Sequence, residues 1–149
     1  MNGVPVIILL IEDDPGHARL IEKNVRRAGV SNQIVHFPDG TSALDFIFGD
    51  HGGSGPAAHT PLLVLLDLNL PDMTGLDILA RIKSDEHFKR MPVIVLTTTD
   101  DRVEIQKCYD LGCNVYITKP VNYETFAQAI RQLGLFLAVI QVPEAESQR

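Results

Sequence analysis

The sequence predicts an α/β protein, a doubly wound five-stranded parallel sheet with helices on both faces. Three observations predict it. Val6–Ile11, Leu62–Leu66 and Val93–Leu96 are unbroken apolar runs rich in β-branched residues. Such runs suit strands buried on both faces. Between the runs lie segments whose apolar residues recur at helical spacing, and the alternation implies right-handed crossovers.

Each element has its own signal. Two weaker strand candidates, Gln33–Phe37 and Asn114–Thr118, bring the strands to five. Asp14-Pro15 reads as an N-cap followed by proline in the first helical turn. The helix after it places Ala18, Ile21, Val25 and Ala28 on one face and ends at Gly29. A second helix starts near Thr41 with Ala43, Leu44, Phe46 and Ile47. A third runs from about Thr74 to Ser84 and is expected to bury Leu76, Leu79 and Ile82. A fourth covers about Asp101 to Leu111, and a fifth begins near Asn122 with Phe126, Ala129, Ile130 and Leu133. Gly49–Thr60, rich in Gly, reads as a loop.

The chain has 149 residues, is 45% hydrophobic and carries a net charge of −6. That fits one domain, residues 1–149, with 134–149 as a C-terminal extension. The acidic balance speaks against a nucleic-acid partner, which needs a basic face. No apolar run is long enough to span a membrane. The opening Met1-Asn2-Gly3 lacks the basic region of a signal peptide. Cys108 and Cys113 match no metal-ligand spacing and read as reduced core residues of a cytoplasmic protein.

The strand ends carry the chemistry. The first strand ends in Glu12-Asp13-Asp14, the third in Asp67 and the fourth in Thr97, while Lys119-Pro120 follows the fifth. Parallel strands point these ends the same way, and sites form there. A lone aspartate at a strand end is ordinarily a cap, and a lone lysine before proline ordinarily lies on the surface. Their joint occurrence is what points to a site. Two carboxylates about 4 Å apart repel by roughly 4 kcal/mol at an effective dielectric of about 20, so the site calls for a proton or a cation. Hard oxygen donors favour Mg2+ or Mn2+. A carboxylate such as Asp67 attacks phosphorus to give an acyl phosphate, and an ammonium (Lys119), a hydroxyl (Thr97) and a metal held by Asp13 neutralise the charge that gathers on the phosphoryl oxygens.

At Ile8–Asp14, Leu65–Gly75, Pro92–Thr97 and Tyr116–Pro120 the chain resembles the response-regulator receiver family, over about residues 5–135. The resemblance implies a flavodoxin-like (βα)5 fold with strand order 2-1-3-4-5. It implies Asp67 as phosphoacceptor, Asp13 as a direct metal ligand, Glu12 as a ligand through water and the Asn69 backbone carbonyl as a further ligand. Thr97 and Lys119 would contact the phosphoryl oxygens, and the Lys119-Pro120 bond would be cis. Thr97 and Tyr116 would be the switch pair that reshapes the surface of the fourth helix, fifth strand and fifth helix. Two departures stand out. Glu12 replaces an aspartate common in relatives, and Thr74 stands where Asp is common, as a cap for the third helix. The phosphoryl donor would be a histidine kinase.

Two rival readings remain. One is a phosphatase that passes through an aspartyl phosphate; it would need a second acid where Asn69 stands. The other is a binding module with a vestigial site. The tail Leu133–Pro143 is apolar nearly all round, which suggests a homodimer through the fifth helix and this tail, although folding back on its own domain is the alternative. Phe46–Pro61 and Gly134–Pro143 also resemble the stand-alone regulators of phytochrome-type histidine kinases. The scattered histidines, His17 among them, read as surface or packing residues.

Overall fold

The apolar runs become strands β1 (Ile7–Ile11), β2 (Ile34–Phe37), β3 (Leu62–Asp67), β4 (Val93–Thr97) and β5 (Val115–Thr118). The helices between and after them are α1 (Pro15–Arg27), α2 (Gly40–Phe48), α3 (Gly75–Lys83), α4 (Arg102–Asp110) and α5 (Tyr123–Gln132). The computed structural model describes residues 6–49 and 60–133. The sheet order is β2-β1-β3-β4-β5 and every pairing is parallel. This is the expected doubly wound arrangement.

The side-chain alternation of a strand explains the unbroken runs. Leu9, Ile11, Val64, Leu66, Val93 and Val95 face one way and pack with Ala43, Ile47, Ile78 and Ile82. Ile8, Leu10, Leu63, Leu65, Ile94 and Leu96 face the other way and pack with Ile21, Val25, Phe126 and Ile130. Both faces are covered, so every position of β3 and β4 is buried. Each helix begins with a side-chain cap: Asp14, Asp39, Thr74, Asp101 and Asn122 accept from amides of the following turn. Gly29 and Gly112, just past the ends of α1 and α4, take positive φ of 92° and 105°, the left-handed turn that ends a helix.

Two expectations shift. The inner face of α3 is Ile78, Leu79 and Ile82, while Leu76 is only half-buried. The helix is rotated so that Gly75 and Ile78 meet β3, which leaves Leu76 at the margin. In α2, Phe48 is buried, whereas Phe46 lies at the edge against Phe37, ring centroids 5.3 Å apart. Cys108 and Cys113 are free and buried, and burial pushes the Cys113 thiol up to about 12, which keeps it unreactive. No helix among the described residues is long and apolar enough to cross a membrane. Of the Gly49–Thr60 loop only the two end residues are described. The extension 134–149, with the dimer contact assigned to it, lies outside the described residues.

Candidate functional site

The carboxyl ends of β1, β3, β4 and β5 bring the expected residues to one rim of the sheet. Among the described residues, Glu12, Asp67 and Thr97 are the buried polar ones, at 1%, 3% and 0% exposure. Glu12, Asp13 and Asp67 each offer a carboxylate oxygen, and these oxygens all lie within 4.8 Å of one another. Asp13 is the exposed member and opens the cluster to solvent. Asp14, next along, caps α1 by accepting from the His17 amide.

Lys119 enters from the opposite side. Its Nζ lies 2.5 Å from Glu12 Oε1 and 3.4 Å from Asp67 Oδ2. The Lys119-Pro120 bond is cis, as expected, and the Lys119 amide donates to the Thr97 carbonyl at 2.8 Å. That amide bond ties the start of the β5–α5 connection to the end of β4. Three carboxylates meet one ammonium, so two negative charges stay unbalanced when all are ionised. The consequence falls on Asp67: burial first, and then the Glu12 charge, raise its carboxyl from 3.8 to about 6, against the pull of Lys119. A divalent cation would reverse that shift by favouring the ionised form. The donor set of three carboxylates fits a hard divalent metal.

The remaining candidates line the rim. Asp67 Oδ1 accepts from the Asn69 amide at 3.3 Å, which places Asn69 in the turn just past Asp67. Thr97 follows Leu96, the residue that pairs with Asp67 across β3 and β4, and its hydroxyl accepts from the Thr99 amide at 3.3 Å. Tyr116 is half-buried in β5, and its hydroxyl donates to the Thr99 carbonyl. Tyr116 and Thr97 therefore both touch the segment that connects β4 to α4. Gly75 closes the rim from below, because a Cβ there would lie 2.5 Å from the Asp67 carbonyl oxygen.

Sequence reasoning missed two contributors. His17, read as a surface residue, sits with Nδ1 3.4 Å from Lys119 Nζ and 3.9 Å from Glu12 Oε2. With Leu20, Thr98 and Pro120 it lines a groove of about 210 Å³ beside the site. Its position in the first turn after the acidic pair was the available signal. Asp72, read only as part of the acceptor motif, accepts three hydrogen bonds from the start of α2. No local pattern marks that contact.

Comparisons with known proteins agree with the geometry. Residues 8–131 match the response regulator receiver domain family. A solved receiver domain from Rhodospirillum rubrum is 67% identical, with 95% of this chain and 100% of that one covered and a TM-score of 0.77. The bacteriophytochrome response regulator RtBRR is 35% identical over 95% of this chain and 85% of its own, with a TM-score of 0.79. Response regulator Rcp1 of Synechocystis is 32% identical over 97% of both chains, and its solved Mn2+-bound form aligns with a TM-score of 0.69 over 89% of this chain and 93% of that one. The buried acid at the end of β3, its two acidic neighbours and the lysine beyond β5 thus sit in a chain that belongs to the response regulator receiver family.

Proposed function

We propose that the protein is a phosphorylation switch of two-component signalling that takes its phosphoryl group from a histidine kinase onto Asp67. The observation that carries this is the buried Asp67 carboxylate, crowded by two acids and faced by Lys119. An Asp67 oxygen attacks the phosphorus of a phosphohistidine. The P–N bond breaks, an O–P bond forms, and the imidazole leaves with the electron pair and takes up a proton. The Lys119 ammonium and the Thr97 hydroxyl are placed to receive the charge that develops on the phosphoryl oxygens. Mg2+, or Mn2+ in its place, held by Asp13, Asp67 and the Asn69 carbonyl with Glu12 through water, would neutralise the remainder of that charge. No enzymatic turnover of other substrates follows from this site: Asn69 has no carboxyl proton to give a leaving group, so self-phosphotransfer and self-dephosphorylation are the expected reactions.

Relatives named as phytochrome or bacteriophytochrome response regulators support a red-light-sensing kinase as the donor. The surface of α4, β5 and α5 is the proposed readout. Within α4 only Cys108 is buried, so that helix is lightly anchored and ready to shift as Thr97 and Tyr116 rearrange. A cytoplasmic setting fits the two free, buried thiols. The apolar segment Leu133–Pro143 supports a homodimer that also uses α5. A chain ending at residue 134 is expected to scatter light as a monomer; a mass that stays dimeric removes the tail from that role.

The test of the main reading is acetyl phosphate labelling with Mg2+, with the site located by mass spectrometry. One labile, base-sensitive phosphoryl group per chain on Asp67 is expected, and Asp67→Asn abolishes it. Repeated turnover of a small phosphate ester would instead favour a phosphatase.

A further inference from the structure

The loop that leads from Asp67 to α3 is held at three places. At its base, the Gly75 amide donates to the Leu68 carbonyl at 2.9 Å, and Asn69 and Thr74 form an isolated antiparallel bridge. At its far side, Met73 lies so close to α2 that a Cβ on Gly40 would fall 2.6 Å from its Cγ and Sδ. At its tip, Asp72 grips the first turn of α2. Its Oδ1 accepts from the Gly40 amide at 2.9 Å, and its Oδ2 accepts from the Thr41 amide at 2.8 Å and the Thr41 hydroxyl at 2.5 Å.

This grip does more than start a helix. α2 already has its own cap, because Asp39 accepts from the Ser42 amide at 2.7 Å. Asp72 takes the two amides that Asp39 leaves over, so two carboxylates divide one helix end. The Asp72 carboxyl is drawn down to about 2, by the Thr41 hydroxyl first and then by the two amides, although the side chain is exposed. What the grip fixes is the loop itself. That loop carries Asn69, whose amide already bonds Asp67.

We propose that Asp72 is a positioning residue: by clamping the β3–α3 loop to the first turn of α2, it holds the Asn69 carbonyl beside Asp67 and so sets the affinity for the divalent metal. This rests on the assignment of Asp67 and the Asn69 carbonyl to the metal and phosphoryl site. The clamp lies outside the metal's own coordination, where supporting contacts orient ligands rather than bind.

Calorimetric titration with Mg2+ tests it, alongside melting curves and acetyl phosphate labelling across a range of Mg2+ concentrations. Asp72→Ala is expected to weaken Mg2+ binding about 10-fold. The Mg2+ concentration for half-maximal labelling should rise by the same factor, while labelling at saturating Mg2+ returns to the wild-type rate. Asp72→Asn keeps one acceptor for the Gly40 amide and should fall between the two. Thr41→Val removes only the hydroxyl donor from an exposed position, so it folds even where Asp72→Ala does not, and it should shift the same half-point in the same direction. If Asp72→Ala and Thr41→Val lower the melting temperature but leave both the Mg2+ affinity and the half-point unchanged, the clamp only anchors α2 and the inference is overturned. A wild type that takes no label on Asp67 overturns the functional reading as well; a wild type that labels normally beside unchanged variants overturns this inference alone.

Discussion

Two lysines are drawn into this protein, at opposite ends of the sheet, and their partners differ in kind. Lys83, at the end of α3, donates to the Lys89 and Met91 carbonyls at 3.1 and 2.7 Å and to Asn114 Oδ1 at 3.2 Å. All three are neutral acceptors. Asn114 also accepts from the Val93 amide, so this lysine ties α3 to the starts of β4 and β5. Burial pulls its ammonium below the usual lysine range. Lys119, at the other end, meets carboxylates: Glu12 at 2.5 Å and Asp67 at 3.4 Å. The first cation is satisfied by dipoles and leaves nothing over. The second sits in an excess of negative charge that it does not cancel. A fold tolerates such an imbalance where something else supplies the missing positive charge, and that is the difference between a structural staple and a site.

The comparison breaks or holds on a matched pair of variants. Lys119→Met removes the one ammonium facing Glu12 and Asp67. Labelling by acetyl phosphate is expected to fall about 100-fold, the usual cost of losing one group that stabilises the transferring charge. The metal-free protein should lose about 3 kcal/mol at neutral pH, since breaking a buried pair strands its partners. Lys83→Met takes the ammonium from the Lys89 and Met91 carbonyls, while Asn114 keeps the Val93 amide, and should cost about 1–3 kcal/mol of stability, with the labelling rate of the folded protein unchanged. Urea unfolding and labelling time courses measure both quantities. Equal loss of labelling in the two variants would mean that the two ends of the sheet are not separate in function.

How far the sequence revealed this depends on the range of the contact involved. The strand ends were legible because a parallel sheet aligns them without further information: once the apolar runs are strands, Glu12, Asp13, Asp67, Thr97 and Lys119 share a rim. The caps Asp14 and Thr74 were legible because each bonds an amide three residues on. Leu76 was misjudged for a related reason. Helical spacing gives the width of a face but not its rotation, and here the close approach of Gly75 to the Asp67 carbonyl sets the rotation. The Asp72 grip on Gly40 and Thr41 joins the β3–α3 loop to the first turn of α2, and His17 reaches Lys119 from a different element. Contacts of that kind leave no periodic trace. Nor did the sequence say that Lys119 would lie nearer to Glu12 than to Asp67, because that choice is made by packing within a single cleft.

The excess of charge at the rim also makes a prediction of its own about stability. In the folded chain the Asp67 carboxyl sits at about 6, above its ordinary 3.8, chiefly through burial and then through Glu12. The native state therefore holds a proton that the unfolded chain releases between those two values. Stability of the metal-free protein should fall as pH rises through that window and stay lowered above it. The cost at neutral pH is about 3 kcal/mol, from a shift of roughly two pH units at about 1.4 kcal/mol each. Asp67→Asn removes the titration, so it should melt higher than wild type at pH 7 and no higher at pH 4, even as it loses the phosphoryl group. Mg2+ acts with the opposite sign: by favouring the ionised carboxylate it should restore stability above pH 6 and do little at pH 4. Melting curves of both proteins at the two pH values, with and without Mg2+, decide the matter. A wild type whose stability does not change between pH 4 and pH 7 without metal would mean that the acidic rim is relaxed, and that the strain ascribed to Asp67 does not exist.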